Sequence, residues 1–180
     1  MQSLLKRVSL QRLVHIVVFD LVWFAAVAGR DPWLWVTIPL IGLMFFVNWK
    51  PLLLKRKSLL LFVLLGLFAE WLVIQLGVLR FTGTEGLPAW LIWLWIGFAA
   101  MAFTAMDWLG GRYIVCALFG LIFGPITYLA GVGFGAAEML TSMTSLVIAY
   151  ALMWGGLMTV FCYLAAQHSR ANMNERQPAP

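Results

Sequence analysis

Residues 55–80 read KRKSLLLFVLLGLFAEWLVIQLGVLR, and this stretch decides the fold. Between Ser58 and Arg80 only Glu70 and Gln75 interrupt an apolar run. A helix needs about 20 such residues to cross the hydrocarbon core of a bilayer. Lys55, Arg56 and Lys57 precede the run and Arg80 follows it. Basic residues collect at the cytoplasmic ends of membrane helices, so the stretch predicts both a span and its direction.

Working outward, five more apolar segments flank it: 13–29 and 33–49 before, and 87–108, 113–135 and 141–166 after. The second is the shortest and contains Pro39. The expected fold is all-α, a polytopic membrane bundle of about six transmembrane helices with both termini in the cytoplasm. Charge placement supports that count. Lys6, Arg7, Arg12, Lys50, Lys55, Arg56, Lys57, Arg112, Arg170 and Arg176 fall on one side, and only Arg30 and Arg80 on the other. Losing or adding one helix would destroy this alternation. Trp33, Trp35, Trp90 and Trp93 are expected at the outer interface, and Trp49 and Trp108 at the inner one. The predicted organisation is a basic cytoplasmic N-terminus at 1–12, one transmembrane domain at 13–166 and a disordered cytoplasmic tail at 167–180. The run after Arg12 contains His15 and Asp20 and lacks a convincing cleavage site, so it reads as a retained first helix rather than a signal peptide. No internal repeat is evident.

Composition agrees. Of 180 residues, 63% are apolar and 11% charged, against roughly 25% charged in a soluble domain. The net charge of +5 sits between apolar runs, not in a basic and aromatic patch, so nucleic-acid binding is not expected. Cys116 and Cys162 lie in apolar runs without CxxC spacing and read as small buried hydrophobes. With only His15 and His168, no multi-histidine metal site forms. No HExxH, GxSxG or phosphate-binding loop is present. Neither a metal nor a cofactor is expected, and no recognisable motif supports catalysis.

The polar residues inside the runs need a reason. Asp20 and Glu70 lie near helix centres, where an ionised carboxylate costs at least about 2.5–3.5 kcal/mol. Gly66, Glu70 and Gly77 share one helix face, and Asp20, Trp23 and Val27 share another. If both faces look inward, the two carboxyls meet at one depth. Asp107 reads as an interfacial charge near Arg112, and Gln75 as bonded to a different neighbour. Gly120 and Gly124, and Gly131 and Gly135, have the spacing of close helix contacts. Gly124-Pro125 followed by Thr127 and Tyr128 is expected to form a kink. The candidate polar site is therefore Asp20, Glu70, Thr127 and Tyr128. Gly66, Gly77, Gly120, Gly124, Pro125, Gly131 and Gly135 are the close-packing or kink positions.

Several of these pieces occur in a characteristic order. They are Trp23-Phe24 with Gly29, Gly66-x-x-x-Glu70 with Gly77, Trp95-x-x-Phe98-Ala99, Gly124-Pro125-x-x-Tyr128-Leu129-Ala130-Gly131, and Gly135-Ala136. In that order they resemble a bacterial membrane family catalogued as domain of unknown function 2878, from about Phe19 to Ala137. The family pattern has an aspartate where this chain has Glu70, and polar residues where Thr104 to Asp107 is partly apolar here. The resemblance implies a multi-pass protein of the bacterial inner membrane with no established activity. Relatives are encoded beside enzymes that modify membrane acyl chains.

Three functions follow as expectations. The first is a non-enzymatic protein that binds or positions a lipid, with membrane lipids as partners. The second is an intramembrane enzyme acting on lipid, with Asp20 and Glu70 as acid and base. The third is an assembly subunit whose glycine faces dock a membrane-protein partner. The sequence does not give the oligomeric state.

Overall fold

The chain reverses at each polar or glycine-bearing gap between its apolar runs. The computed structural model describes residues 10–176. Helix α1 spans Leu10–Gly29, α2 Leu34–Val47, α3 Trp49–Leu54 and α4 Arg56–Gln75. Helix α5 spans Ala89–Ala105, α6 Tyr113–Gly133 and α7 Met143–Arg176. Strands β1 (Leu79–Phe81) and β2 (Ala137–Met139) pair antiparallel, with Arg80 opposite Glu138. The rest of the described residues are helix and the short turns and loops that join these elements. Helices α1, α4, α6 and α7 are long and apolar enough to cross a membrane, whereas α2 and α5 are shorter apolar helices.

Each turn has a local cause. After Gly29, Arg30 takes φ 53° and Pro32 starts a 3-10 turn at Asp31–Trp33. Asp31 then accepts a hydrogen bond from the backbone N–H of Trp90 at 3.0 Å. A carboxylate there offsets the unpaired donors at the start of α5. Asn48 separates α2 from α3, and its amide donates to the Met44 carbonyl at 2.9 Å. The polar tail differs from expectation: α7 continues through Arg176, so residues 167–176 are helical rather than disordered. Gln, Ala, Met, Glu and Arg in this stretch are good helix formers. The rest of the tail and residues 1–9 of the basic N-terminus lie outside the described residues.

The core centres on α5, which packs on α1, α2 and α4. Ala99, Ala100, Ala102 and Ala105 are buried and let those helices approach. Phe62 of α4 is fully buried, with the rings of Trp95, Phe98, Phe103 and Phe161 at 5.8–6.1 Å. Outward-facing positions such as Leu21, Leu64, Phe68, Ile122 and Leu152 are exposed and apolar. An apolar outer surface suits lipid as the surrounding solvent. Trp33, Trp35, Trp49 and Trp108 are exposed, but Trp90 is buried under β1 with its ring 5.5 Å from Phe81.

The structure contains a repeat that the sequence reading did not find. The unit α4–β1–α5 recurs as α6–β2–α7, and Gly66, Glu70, Gly77 and Arg80 correspond to Gly124, Tyr128, Gly135 and Glu138 at one constant spacing. Both first helices end in the same cap. Gly77 (φ 67°) and Gly135 (φ 69°) are left-handed. In each cap two hydrogen bonds run back to the last helical turn, Val78 N–H to Val73 O and Gly77 N–H to Ile74 O, then Ala136 N–H to Gly131 O and Gly135 N–H to Val132 O. This is the glycine-terminated Schellman arrangement. Gly77 and Gly135 therefore serve as helix stops, not as close-packing positions. Gly135→Ala is expected to cost about 1–2 kcal/mol, because a Cβ is strained in that conformation. Gly156→Ala, in a helix with nothing near its missing Cβ, should leave the thermal midpoint level or raise it. Thermal denaturation in detergent checks both.

Candidate functional site

Helix α6 packs along α7 and helix α1 along α5, and between the two pairs runs a cleft of about 170 Å³. Phe19, Trp23 and Val27, one turn apart, form its α1 wall. Phe119, Phe123, Thr127 and Gly131 recur every four residues and form the α6 wall. At 1.5 Å per residue that wall is about 18 Å long. The floor includes Trp95 and Phe98 of α5 and Trp154 and Met158 of α7. Phe81, Ala136 and Ala137 of the ribbon region close one end, where Phe134 also sets its ring against Trp23 and Phe24 at 6.1 and 5.9 Å.

The repeat builds the floor. Trp95 and Trp154 stack with centroids 5.0 Å apart and planes 11° from parallel. Each lies over the glycine of its own unit: a Cβ on Gly66 would overlap the Trp95 ring, and one on Gly124 the Trp154 side chain. A Cβ on Gly120 would overlap the backbone carbonyl of Trp154. The Gly120–Gly124 spacing is therefore an intramolecular contact between α6 and α7. Gly131 has no such neighbour; a Cβ there meets nothing within 4 Å, although the residue is buried and lines the cleft.

Polar groups gather behind the floor. Glu70 is fully buried. The Tyr150 hydroxyl donates to its Oε2 at 3.5 Å, and the Trp95 side chain lies beside the carboxyl. Glu70 Oε1 has no hydrogen-bond partner among the described residues, and neither does the buried Nε1 of Trp154. Tyr128, a cleft residue, stacks on Tyr150 at 3.6 Å and 18°. Thr127 donates to the Gly124 carbonyl at 2.7 Å. That bond satisfies a carbonyl beside Pro125, which is buried within an unbroken α6.

Of the four expected polar-site residues, the structure brings together Tyr128 and Thr127 at the cleft and Glu70 one side chain behind it. Asp20 is exposed, on the α1 surface beside the Phe19 and Trp23 wall. It does not meet Glu70, since α5 packs on both of their helices and one carboxyl is outside while the other is inside. The paired acid–base arrangement is thereby corrected. The reason is rotational: Asp20 stands about 160° around α1 from the fully buried Val22, on the far side of the helix from its core-facing residues. Gln75 is exposed. Asp107 pairs not with Arg112 but with Arg12 and Lys55 at 3.1 and 3.3 Å, while Arg112 lies over the Trp108 ring. The sequence reading missed Tyr150 and Trp154, and took Trp95 only as part of a family pattern. The repeated Gly-x-x-x-(Glu or Tyr)-x-x-x-x-x-x-Gly spacing marks Tyr128 as the counterpart of Glu70, but it does not reach Tyr150, Trp154 or Trp95.

The family described as "Protein of unknown function (DUF2878)" matches residues 12–160. No curated protein and no solved structure matches the chain.

Proposed function

The chain belongs to the family of unknown function DUF2878, and we propose that within it this protein is a membrane lipid-binding protein that holds an acyl chain in the cleft between α1 and α6. It sits in the bacterial inner membrane with six spans, α2 and α5 crossing as the shorter ones, and with both termini inside. The ribbon then caps the outer end, and the basic residues around Arg12 and Lys55 mark the inner end.

One observation carries the reading. The cleft is elongated, walled by aromatic and aliphatic side chains, and flanked by exposed apolar residues such as Phe119 and Phe123. Buried apolar area with a few convergent polar groups is the usual form of a small-molecule site. Tyr128, Thr127 and the unpaired Trp154 N–H supply those groups. The single acid behind the floor and the single acid outside do not make a catalytic pair, so binding and positioning are favoured over catalysis.

Gly131→Leu tests this. A Cβ at this position meets nothing within 4 Å, so the new side chain branches into the cleft, and leaving glycine favours the helix by about 1 kcal/mol. Wild type in detergent should show saturable tryptophan quenching by a neutral phosphatidylcholine with brominated acyl chains, because Trp23, Trp95 and Trp154 line the cleft. The variant should fold and lose that saturable component at least about tenfold. Equal quenching in both proteins would refute the reading.

A further inference from the structure

A second cavity, of about 260 Å³, lies at the opposite end of the fold from the ribbon and differs in character from the cleft. Arg12, His15, Asn48, Lys55, Thr104 and Asp107 line it. They come from α1, the α2–α3 break, the α3–α4 junction at Lys55, α5 and the turn after it, so the fold assembles the cavity from five separate segments.

Its hydrogen bonds leave one donor over. The Asn48 amide nitrogen donates to the Met44 carbonyl at 2.9 Å and to His15 Nε2 at 2.8 Å. An amide nitrogen carries two hydrogens and no acceptor pair, so Nε2 accepts and the proton of the neutral ring is on Nδ1. His15 is only 5% exposed, and its Nδ1 has no partner among the described residues. A buried, unpaired N–H costs about 1–3 kcal/mol. Lys55 donates to the Phe103 carbonyl at 2.7 Å and reaches Asp107 from a side chain 14% exposed. Arg12 reaches the other oxygen of the same carboxylate. Among the described lining residues, two cationic side chains that converge on the Asp107 carboxylate and one buried N–H thus share the cavity.

We infer that this cavity binds the phosphate group of an anionic ligand, with Lys55, Arg12 and the His15 Nδ1–H as its donors. Phosphate supplies the charge and the several acceptors that such a donor set satisfies. Either a phospholipid headgroup or free phosphate brings that group. The headgroup source rests on the acyl-chain reading of the cleft. Arg12 lies seven residues from Phe19, two turns along the same side of α1, so the cavity sits about 10 Å from the near end of the cleft. That spacing suits one lipid with its head in the cavity and a chain in the cleft.

The test uses the full-length protein in detergent, with dioleoylphosphatidylglycerol, dioleoylphosphatidylcholine and inorganic phosphate as separate probes. Retention of lipid is read by native mass spectrometry, and phosphate binding by the shift in thermal midpoint. Lys55→Gln and His15→Phe should weaken binding about tenfold. Asp107→Asn keeps an acceptor for both cations but removes the competing charge, so it should tighten binding. A purely structural ion-pair cluster would lose stability in that variant and gain no affinity. Preference for phosphatidylglycerol that follows this order assigns the headgroup. A response to inorganic phosphate in the same order, without preference between the lipids, assigns free phosphate. Binding of neither anion, or binding indifferent to a folded Asp107→Asn, overturns the site. Quenching by the neutral brominated lipid reads the cleft alone, so failure of the cavity and failure of the cleft are separable.

Discussion

Gly120→Val is expected to leave little folded protein. A Cβ at this position falls on the backbone carbonyl of Trp154, with the Gly155 nitrogen close behind. A side-chain neighbour can rotate away; a helix backbone cannot, so α6 and α7 must separate. Overpacking in a close-packed core costs about 1–3 kcal/mol and sometimes more, and backbone on both sides puts this substitution at the top of that range. The separation also takes Trp154 off Trp95 and opens the floor of the cleft. Gly133→Val, on the same helix with open space around it, is the control. Monodispersity and thermal midpoint after purification decide the matter: a Gly120→Val protein that melts with wild type would mean that α6 and α7 do not pack as described.

Glu70→Met is expected to raise stability while abolishing function. The carboxyl is fully buried, no cation is among its described partners, its hydrogen bond from Tyr150 is 3.5 Å long, and beside that only the Trp95 side chain meets it. Burying such a group without full compensation costs about 1–3 kcal/mol, and an apolar side chain of similar shape removes that cost. The midpoint should rise by several degrees, at about 2–4 °C per kcal/mol for a chain of this size. Sites that trade stability for activity behave this way. Glu70→Gln, which keeps an acceptor for Tyr150, should melt close to wild type. The readout of function is the saturable lipid quenching. A Glu70→Met protein that is destabilised would make the carboxyl a pin between α4 and α7, and one that binds lipid normally would remove it from the site.

The helices and their order were legible because hydrophobic run length is a property of the chain itself. Segment 58–79 reads as a helix wherever it is placed, and α4 fills most of it. Orientation around each helix axis was harder. Asp20 and Glu70 look alike in the sequence, yet one faces out and the other in, and only the neighbours of α1 and α4 decide that. The ends of helices were misread for a different reason. In the sequence Gly77 and Gly135 read as close-packing or kink positions, since a glycine that stops a helix and one that admits a neighbour are the same letter. The repeat stayed hidden because its two copies share the glycines but differ in residue type at the polar positions, Glu70 and Arg80 in one and Tyr128 and Glu138 in the other. Cys116 and Cys162 are buried without a disulfide, in keeping with their apolar surroundings.

Glu70 and Tyr150 stand eighty residues apart in the chain, and a ribosome makes the first long before the second. From the moment α4 enters the bilayer until α7 follows, the carboxyl has no hydroxyl to meet it. The nascent protein thus carries its least lipid-compatible group in waiting, and synthesis of the last helix completes the fold. A chain truncated before Tyr150 would keep that carboxyl without its hydroxyl, so the contact ties α4 to a helix made much later.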